Sequence, residues 1–410
     1  MKAPCKALAF LFIACAAAHA QVVPAATGPR GLPLAGTLHY AFRYSQTAEF
    51  GTSLGDWQTA TPSASLDYTN GNERLPFSLT YGGGYTWTIN GPSYTTGLFQ
   101  RLSLSQGIDW RKWNVLVSDD VSYRPQAPTT GFSGIPGTGE PIGGSGSGPP
   151  SSQSILTLNT HVLNNDVNGE IEHSLNYGTS FNVGGSSELL RFPDGNGRNT
   201  DTQMANAELA WRLNGRSSLS GTYQFSYFSY PDYGYTFVTN TGFLGYERDW
   251  SRKVTTNVSA GPQWTGSSSS TIIPSSIGIA ANAVVNCQFR FASASLNYSR
   301  GINGGAGYLF GAESDRVNAN FSRQFGKDLN VEINGSFRRT AGLQNNGVTN
   351  AKFGGGQARK RFGRYLSVFA NYTAEDQSSS SKLPANTLGH LMQTVGFGIE
   401  YSPRDTHLKH

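Results

Sequence analysis

The chain has 410 residues, 14% of them charged and 12% aromatic, with 50 glycines and a formal net charge of +5. That excess is too small to argue for nucleic acid as a partner. Sparse charge and a negative mean hydropathy fit segments that are apolar on one face only, and past the leader no apolar run is long enough for a bilayer-spanning helix.

Residues 1–20 carry Lys2 and Lys6, an apolar run from Leu8 to Ala18, and Ala18-His19-Ala20 before Gln21. This reads as a secretory signal with a small-x-small cleavage site. The mature chain then holds a single cysteine, Cys287, so no intramolecular disulfide is expected. Residues 21–35 read as a periplasmic N-terminal segment, 36–402 as a barrel and 403–410 as a polar tail.

From Gly36 onward, stretches of about ten to fourteen residues alternate apolar and polar and then turn, which is the pattern of a transmembrane antiparallel β-barrel. In 77–89, Phe77, Leu79, Tyr81, Tyr85, Trp87 and Ile89 share one face and Ser78, Thr80, Gly82, Gly84, Thr86 and Thr88 the other. The expected strands, about eighteen in number with sixteen as the alternative, are 36–46, 58–69, 75–90, 96–107, 112–124, 153–163, 169–184, 201–213, 217–230, 236–249, 252–265, 275–287, 290–302, 312–325, 328–340, 350–362, 365–376 and 388–402. Short turns, such as Asp109–Lys112, Asn165–Asn168 and Asn214–Ser217, alternate with longer loops at 125–152, 185–200, 266–274, 303–311, 341–349 and 377–387. That rule predicts both termini in the periplasm of a bacterial outer membrane. A soluble sandwich has shorter strands and no short-long rule, and a β-helix would show a fixed repeat.

Alternation predicts an inner face rich in Ser, Thr, Asn and Gly, with pore-lining candidates His39, Arg43, Arg101, Glu172, Glu208, Arg212, Lys253, Arg316, Glu332, Arg338 and Glu400. Their basic excess predicts a weak preference for anions. Phe228, Phe291 and Phe369 are interior aromatics by the same pattern. His39 and Glu400 fall at the periplasmic end of the seam between first and last strands and are candidates for a cross-strand pair. A second basic group, Lys352, Arg359, Lys360, Arg361 and Arg364, is expected near the periplasmic end of one hairpin.

The loop 125–152, dense in Gly, Pro and Ser, is either a constriction or an external loop. Asp194 to Asp201 offers oxygens at spacings that calcium uses, but Arg198 and the missing bidentate acid argue for an Asx-rich turn. His161 and His173 are expected on different strands with no nucleophile beside them, and His390 on an outer rim, so no catalytic residue, metal or cofactor is assigned.

From about Tyr223 the wording resembles a family of outer-membrane β-barrel proteins often encoded beside exopolysaccharide-synthesis genes. The residues that carry it are Leu244-Gly245-Tyr246-Glu247-Arg248, Ala260-Gly261-Pro262-Gln263-Trp264, Leu296-Asn297-Tyr298-Ser299-Arg300-Gly301, Gly304-Gly305-Ala306-Gly307-Tyr308 and Gly311-Ala312-Glu313-Ser314-Asp315. The resemblance implies an outer-membrane pore or assembly factor linked to polysaccharide. The residues themselves point to a porin-like channel for passive diffusion or export, monomeric or homotrimeric, with lipid and small solutes or polysaccharide as partners. The alternative is a closed structural barrel that binds surface polymer or a partner through its loops.

Overall fold

The computed structural model describes residues 36–51, 56–70, 72–91, 96–126, 160–195, 197–267, 273–305, 309–344, 347–380 and 391–408. The expected signal segment 1–20, residues 21–35, most of the loop 125–152 and His390 lie outside them. The strands are β1 (Gly36–Phe50), β2 (Trp57–Asn70), β3 (Phe77–Asn90), β4 (Gly97–Trp110), β5 (Trp113–Gln126), β6 (Thr160–Asn176), β7 (Thr179–Arg191), β8 (Thr200–Asn214), β9 (Ser217–Tyr230), β10 (Tyr235–Ser251), β11 (Val254–Ser267), β12 (Ser276–Gln288), β13 (Ala292–Asn303), β14 (Ala312–Phe325), β15 (Leu329–Gly342), β16 (Val348–Phe362), β17 (Leu366–Ser379), β18 (Met392–Tyr401) and the short β19 (Thr406–Leu408).

Strands β1 to β18 pair antiparallel with their chain neighbours, and β18 returns to β1 from Phe42↔Tyr401 to Phe50↔Gln393. The ring is therefore closed at eighteen strands. Beyond Tyr401 the chain does not end as a plain tail: β19 pairs with the first residues of β1, Gly36↔Leu408 to Leu38↔Thr406. Closure is what allows such a sheet to sit in lipid, where an unpaired backbone group costs several kcal/mol. Among the described residues no helix is long and apolar enough to cross a membrane.

Period-two alternation sorts the side chains. On β15 the outward set is Leu329, Val331, Ile333 and Phe337 and the inward set Asn330, Glu332, Asn334, Ser336 and Arg338. From Leu329 to Phe337 the outward apolar stretch rises roughly 21 Å once strand tilt is included, most of the height of a lipid-facing band. Exposed aromatics ring the short-turn end, among them Trp110, Trp113, Trp250, Phe325, Phe362, Tyr365 and Tyr401, where a membrane-interface girdle belongs. A closed ring with an apolar belt and an aromatic girdle is the exterior of a transmembrane barrel in a bacterial outer membrane.

One turn differs from the sequence expectation. Asn165 to Asn168 lie in the middle of β6, and the reversal falls at Tyr177 and Gly178. The reason is Asn165, which takes an outward position and donates to Asp119 Oδ1 at 2.7 Å. A polar side chain on the lipid side breaks alternation and mimics an Asx turn. With the true reversal, His161 and His173 share β6.

If the register is right, Ile333→Arg, at mid-height on the outer face, should cost about 2 to 4 kcal/mol, while Asn334→Arg on the inner face should cost little. Urea unfolding of the two variants in lipid vesicles measures the difference, and equal costs would refute this register.

Candidate functional site

The inner face of the ring is the candidate site, and its best-ordered part is the seam. Glu400 on β18 is the Cα partner of Arg43 on β1. Arg43 Nε donates to Glu400 Oε2 at 2.9 Å, and Arg359 from β16 donates to Oε1 and Oε2, both at 3.2 Å. One carboxylate thus ties three strands together, counting its own. Gly398 makes the space: a Cβ there would lie 2.4 Å from the Phe369 ring and 2.5 Å from the Tyr44 carbonyl oxygen. The ring instead crosses β18 and takes the Arg43 guanidinium on its face, 5.0 Å from the centroid. His39 and Glu400 do face the same side, yet they do not pair. Arg43 is four residues nearer in register, and His39 turns to Asp405 at 2.8 Å and to Ser402 Oγ at 3.2 Å.

The register can be followed round the whole ring, and it returns to Glu400 and Arg43 on one face. It places His39, Arg43, Arg101, Glu172, Glu208, Arg212, Arg316, Glu332, Arg338 and Glu400 on the inner side. Lys253 is not among them, because β11 begins at Val254 and Lys253 sits exposed in the short turn. Phe291 likewise lies exposed in the turn before β13, whereas Phe228 and Phe369 are inward and buried. Lys352 stands apart from the basic group expected at the short-turn end: it is outward, toward the opposite end of β16, as the Cα partner of Asp376.

The charged inward residues are densest on two sides of the ring, with acids in excess on β5 to β8 and arginines in excess on β14 to β16. On β4 to β8, Arg101 Nε donates to Asp120 Oδ2 at 2.8 Å, and Asp120 is in register with Asp166, which is in register with Glu188. Glu170 accepts from Asn182, and Glu208 accepts from Thr222 Oγ1 at 3.1 Å. Half-way round the ring, Arg316 on β14 and Arg338 on β15 are direct Cα partners, with Arg359 and Arg361 inward on β16. Asp67, Asp120, Asp166, Glu170, Glu188 and Glu247 join the acids expected from sequence, so inward acids outnumber inward arginines. The anion preference inferred from sequence loses its basis. The misplaced turn on β6 had hidden several of these acids.

The outer mouth is narrowed from one side. Tyr230 OH donates to the Gly304 carbonyl at 3.0 Å and accepts from Gly311 N–H at 2.6 Å, fastening both ends of the loop 304–311 to β9. Val162, Leu190, Phe192, Leu309 and Ala312 form one buried cluster that joins the inner faces of β6, β7 and β14. Neighbouring strands lie about 4.8 Å apart, so a loop held to the wall above β13 and β14 would not reach β6 and β7. Leu309 and Phe310 therefore stand away from that wall and over the opening. Phe228, Tyr230, Tyr235, Phe237 and Ile273 build an aromatic bed beneath them, and Arg198 lies 4.2 Å from the Phe310 centroid.

The oxygens of Asp194 to Asp201 are committed to this architecture. Partial burial works to raise the Asp194 carboxyl, but hydrogen bonds from the ring and backbone of His161 outweigh it and hold the group below its ordinary value. Asn199 accepts from Phe192 N–H at 2.9 Å and Asp201 pairs with Arg191. Among the described residues no group of three or more His, Cys, Asp or Glu side chains could hold a metal ion.

No family model and no curated protein matches this sequence. Among solved structures the chain is similar to OccK2 (OpdF) of Pseudomonas aeruginosa, with a TM-score of 0.49 at 10% identity over 91% of this chain and 99% of that one. OccAB4 of Acinetobacter baumannii gives 0.48 at 10% over 91% and 99%, and a BenF-like porin of Pseudomonas fluorescens Pf-5 gives 0.47 at 10% over 91% and 100%. Likenesses this distant decide nothing about the solute, and the barrel stands on its own strand register.

Removing one partner of a largely buried ion pair leaves the others uncompensated, so Glu400→Ala should cost about 3 kcal/mol. Asp405→Ala, which breaks the exposed pair with His39, should cost less than about 1 kcal/mol. The temperature at which the folded band converts on unboiled SDS gels reports both. A larger loss from Asp405→Ala would place the strength of the seam in β19.

Proposed function

We propose that the chain is a porin-like channel of the outer membrane that passes small solutes by diffusion and carries out no chemistry. The observation that carries this is width with polarity. A ring of eighteen strands is too wide for its own side chains to fill, and this one turns Ser, Thr, Asn and charged groups inward. A sheet that only needed to persist in lipid would gain nothing from charge massed on two sides of its interior.

The polysaccharide link is a finer reading, supported by the resemblance alone. Its motifs fall on β10, β11, β13, the start of β14 and the mouth loop between β13 and β14. That is the sector where Tyr230 fastens the loop, so polymer or oligosaccharide export would be governed there. We take the assembly to be a monomer or homotrimer in lipid. A closed barrel with binding loops is the second reading, favoured by Leu309 and Phe310 over the mouth and by the buried polar side chains on the inner faces of β1, β16, β17 and β18.

Single-channel recording in planar bilayers separates the two readings. The channel reading expects discrete steps, larger for Phe310→Ala because the mouth loop loses its aromatic footing. No conductance from wild type and variant alike would establish the closed barrel. Reversal potential across a KCl gradient should show a weak cation preference that fades near 1 M salt, where screening shortens to about 3 Å. Anion preference would mean that the acidic wall does not face the permeation path.

A further inference from the structure

Near the outer rim of the seam, two carboxylates face the interior with no ion pair to either among the described residues. Glu49 is the penultimate residue of β1 and Glu375 lies on β17, and β18 runs between them. Thr394 of β18 is the Cα partner of both Glu49 and Thr373, Met392 is the partner of Glu375, and Trp57 of β2 is the partner of Glu49. Alternation turns all six side chains to the same side of the sheet. Glu375 is 1% exposed and Glu49 4%.

Their surroundings differ from those of Glu400, which two arginines hold. Among the described residues no ion pair reaches Glu49 or Glu375, and both oxygens of Glu375, Oε2 of Glu49 and the hydroxyls of Thr373 and Thr394 make no hydrogen bond. Two buried carboxylates cannot both stay ionised without a counter-charge. One shared proton would quench one charge and engage one oxygen of each carboxylate, leaving the other Glu375 oxygen and both threonine hydroxyls unmet. A hard dication takes six to eight oxygen ligands and balances both charges.

We propose that Glu49 and Glu375 bind a divalent cation of the calcium type, with Thr373 and Thr394 as neutral oxygen ligands. An all-oxygen set spread over three strands suits calcium, whose coordination is flexible, better than magnesium, which demands near-ideal octahedral geometry and gives up water reluctantly. The ion would clamp β1 to β17 across β18 at the outer end of the seam. It would thereby match the Arg43, Glu400 and Arg359 cluster nearer the other end, and it does so whether or not the lumen conducts.

The full-length protein, refolded in detergent and stripped with EDTA, is titrated with CaCl2, MgCl2 or NaCl at equal ionic strength while its unfolding temperature is followed. Calcium should raise that temperature, as a ligand bound only by the folded state must. Magnesium and sodium should do little. Glu375→Gln should fold without calcium at least as well as wild type and lose the calcium response, and Glu49→Gln should do the same. Glu332→Gln, elsewhere on the inner face, should keep it.

Terbium offers a second readout that does not depend on any carboxylate variant folding. Bound beside Trp57 it should emit on tryptophan excitation, calcium should displace it, and Trp57→Phe should lose the emission while keeping the calcium shift. A wild type indifferent to both EDTA and calcium would overturn the proposal, as would a Glu375→Gln variant that still responds. So would stabilisation by mild acid alone with nothing added by calcium, since a shared proton would then be the occupant.

Discussion

Everything in this molecule depends on the pairing of β1 with β18. Each internal strand has two neighbours supplied by short-range connections, but the first and last strands must find each other across the length of the chain. In lipid they have no alternative partner, because water is not there to take the exposed N–H and C=O groups. The seam is accordingly reinforced beyond its main-chain bonds. Glu400 receives both Arg43 and Arg359, His39 meets Asp405 and Ser402, and β19 covers the first three residues of β1, where β18 has already ended. These contacts are weak one by one against the cost of an open edge, yet they fix which residues meet, and a slip of one residue would turn every side chain to the wrong face.

Closure at eighteen strands then dictates the interior. The ring is too wide to pack as a core, and a dry apolar lumen of that size is not an available solution. The sequence answers in two ways at two heights. Along the wall it places hydrogen-bonding side chains that tolerate water, and at the outer mouth it borrows a loop to supply the apolar surface that strands alone cannot bring together. Tyr230 is the pivot of the second device. Its hydroxyl, buried among Phe237, Tyr235 and Phe310, both donates and accepts, so the loop is held by its backbone at Gly304 and Gly311 and leaves its side chains free to pack.

The fold was legible in the sequence because a lipid-facing strand is obliged to alternate. The eighteen strands, their order and nearly all of the inward candidates follow from that one obligation. What escaped was whatever lipid does not police. The reversal at Tyr177 and Gly178 was displaced because Asn165 and Asp119 satisfy each other on the outer face, so the pattern faltered in mid-strand. Asp166, Glu170 and Glu188 went unseen with it, and with them the sign of the charge balance. Lys253 was drawn into a strand because the alternation of β11 runs back through the turn. The mouth contact left no periodic trace at all: glycine and aromatic wording at 304–311 reads as a loop, and nothing local says that Leu309 and Phe310 reach over the opening.

The acid-rich and arginine-rich walls bear on how such a lumen would treat a solute. The excess of acids on β5 to β8 and of arginines on β14 to β16 stand on opposite sides, so the field between them runs across the pore and not along it. A transverse field does little to the height of the barrier for an ion, which is set by the net charge of the lining. It does orient dipoles. A polar solute with many hydroxyl groups can donate to the acidic side and accept from the basic side at once, replacing on both flanks the water it gives up. An ion can satisfy only one wall and is drawn off axis toward it. In the proposed channel the same arrangement would keep selectivity for simple ions weak and favour neutral, hydroxyl-rich molecules, through the position of the charges and not their sum.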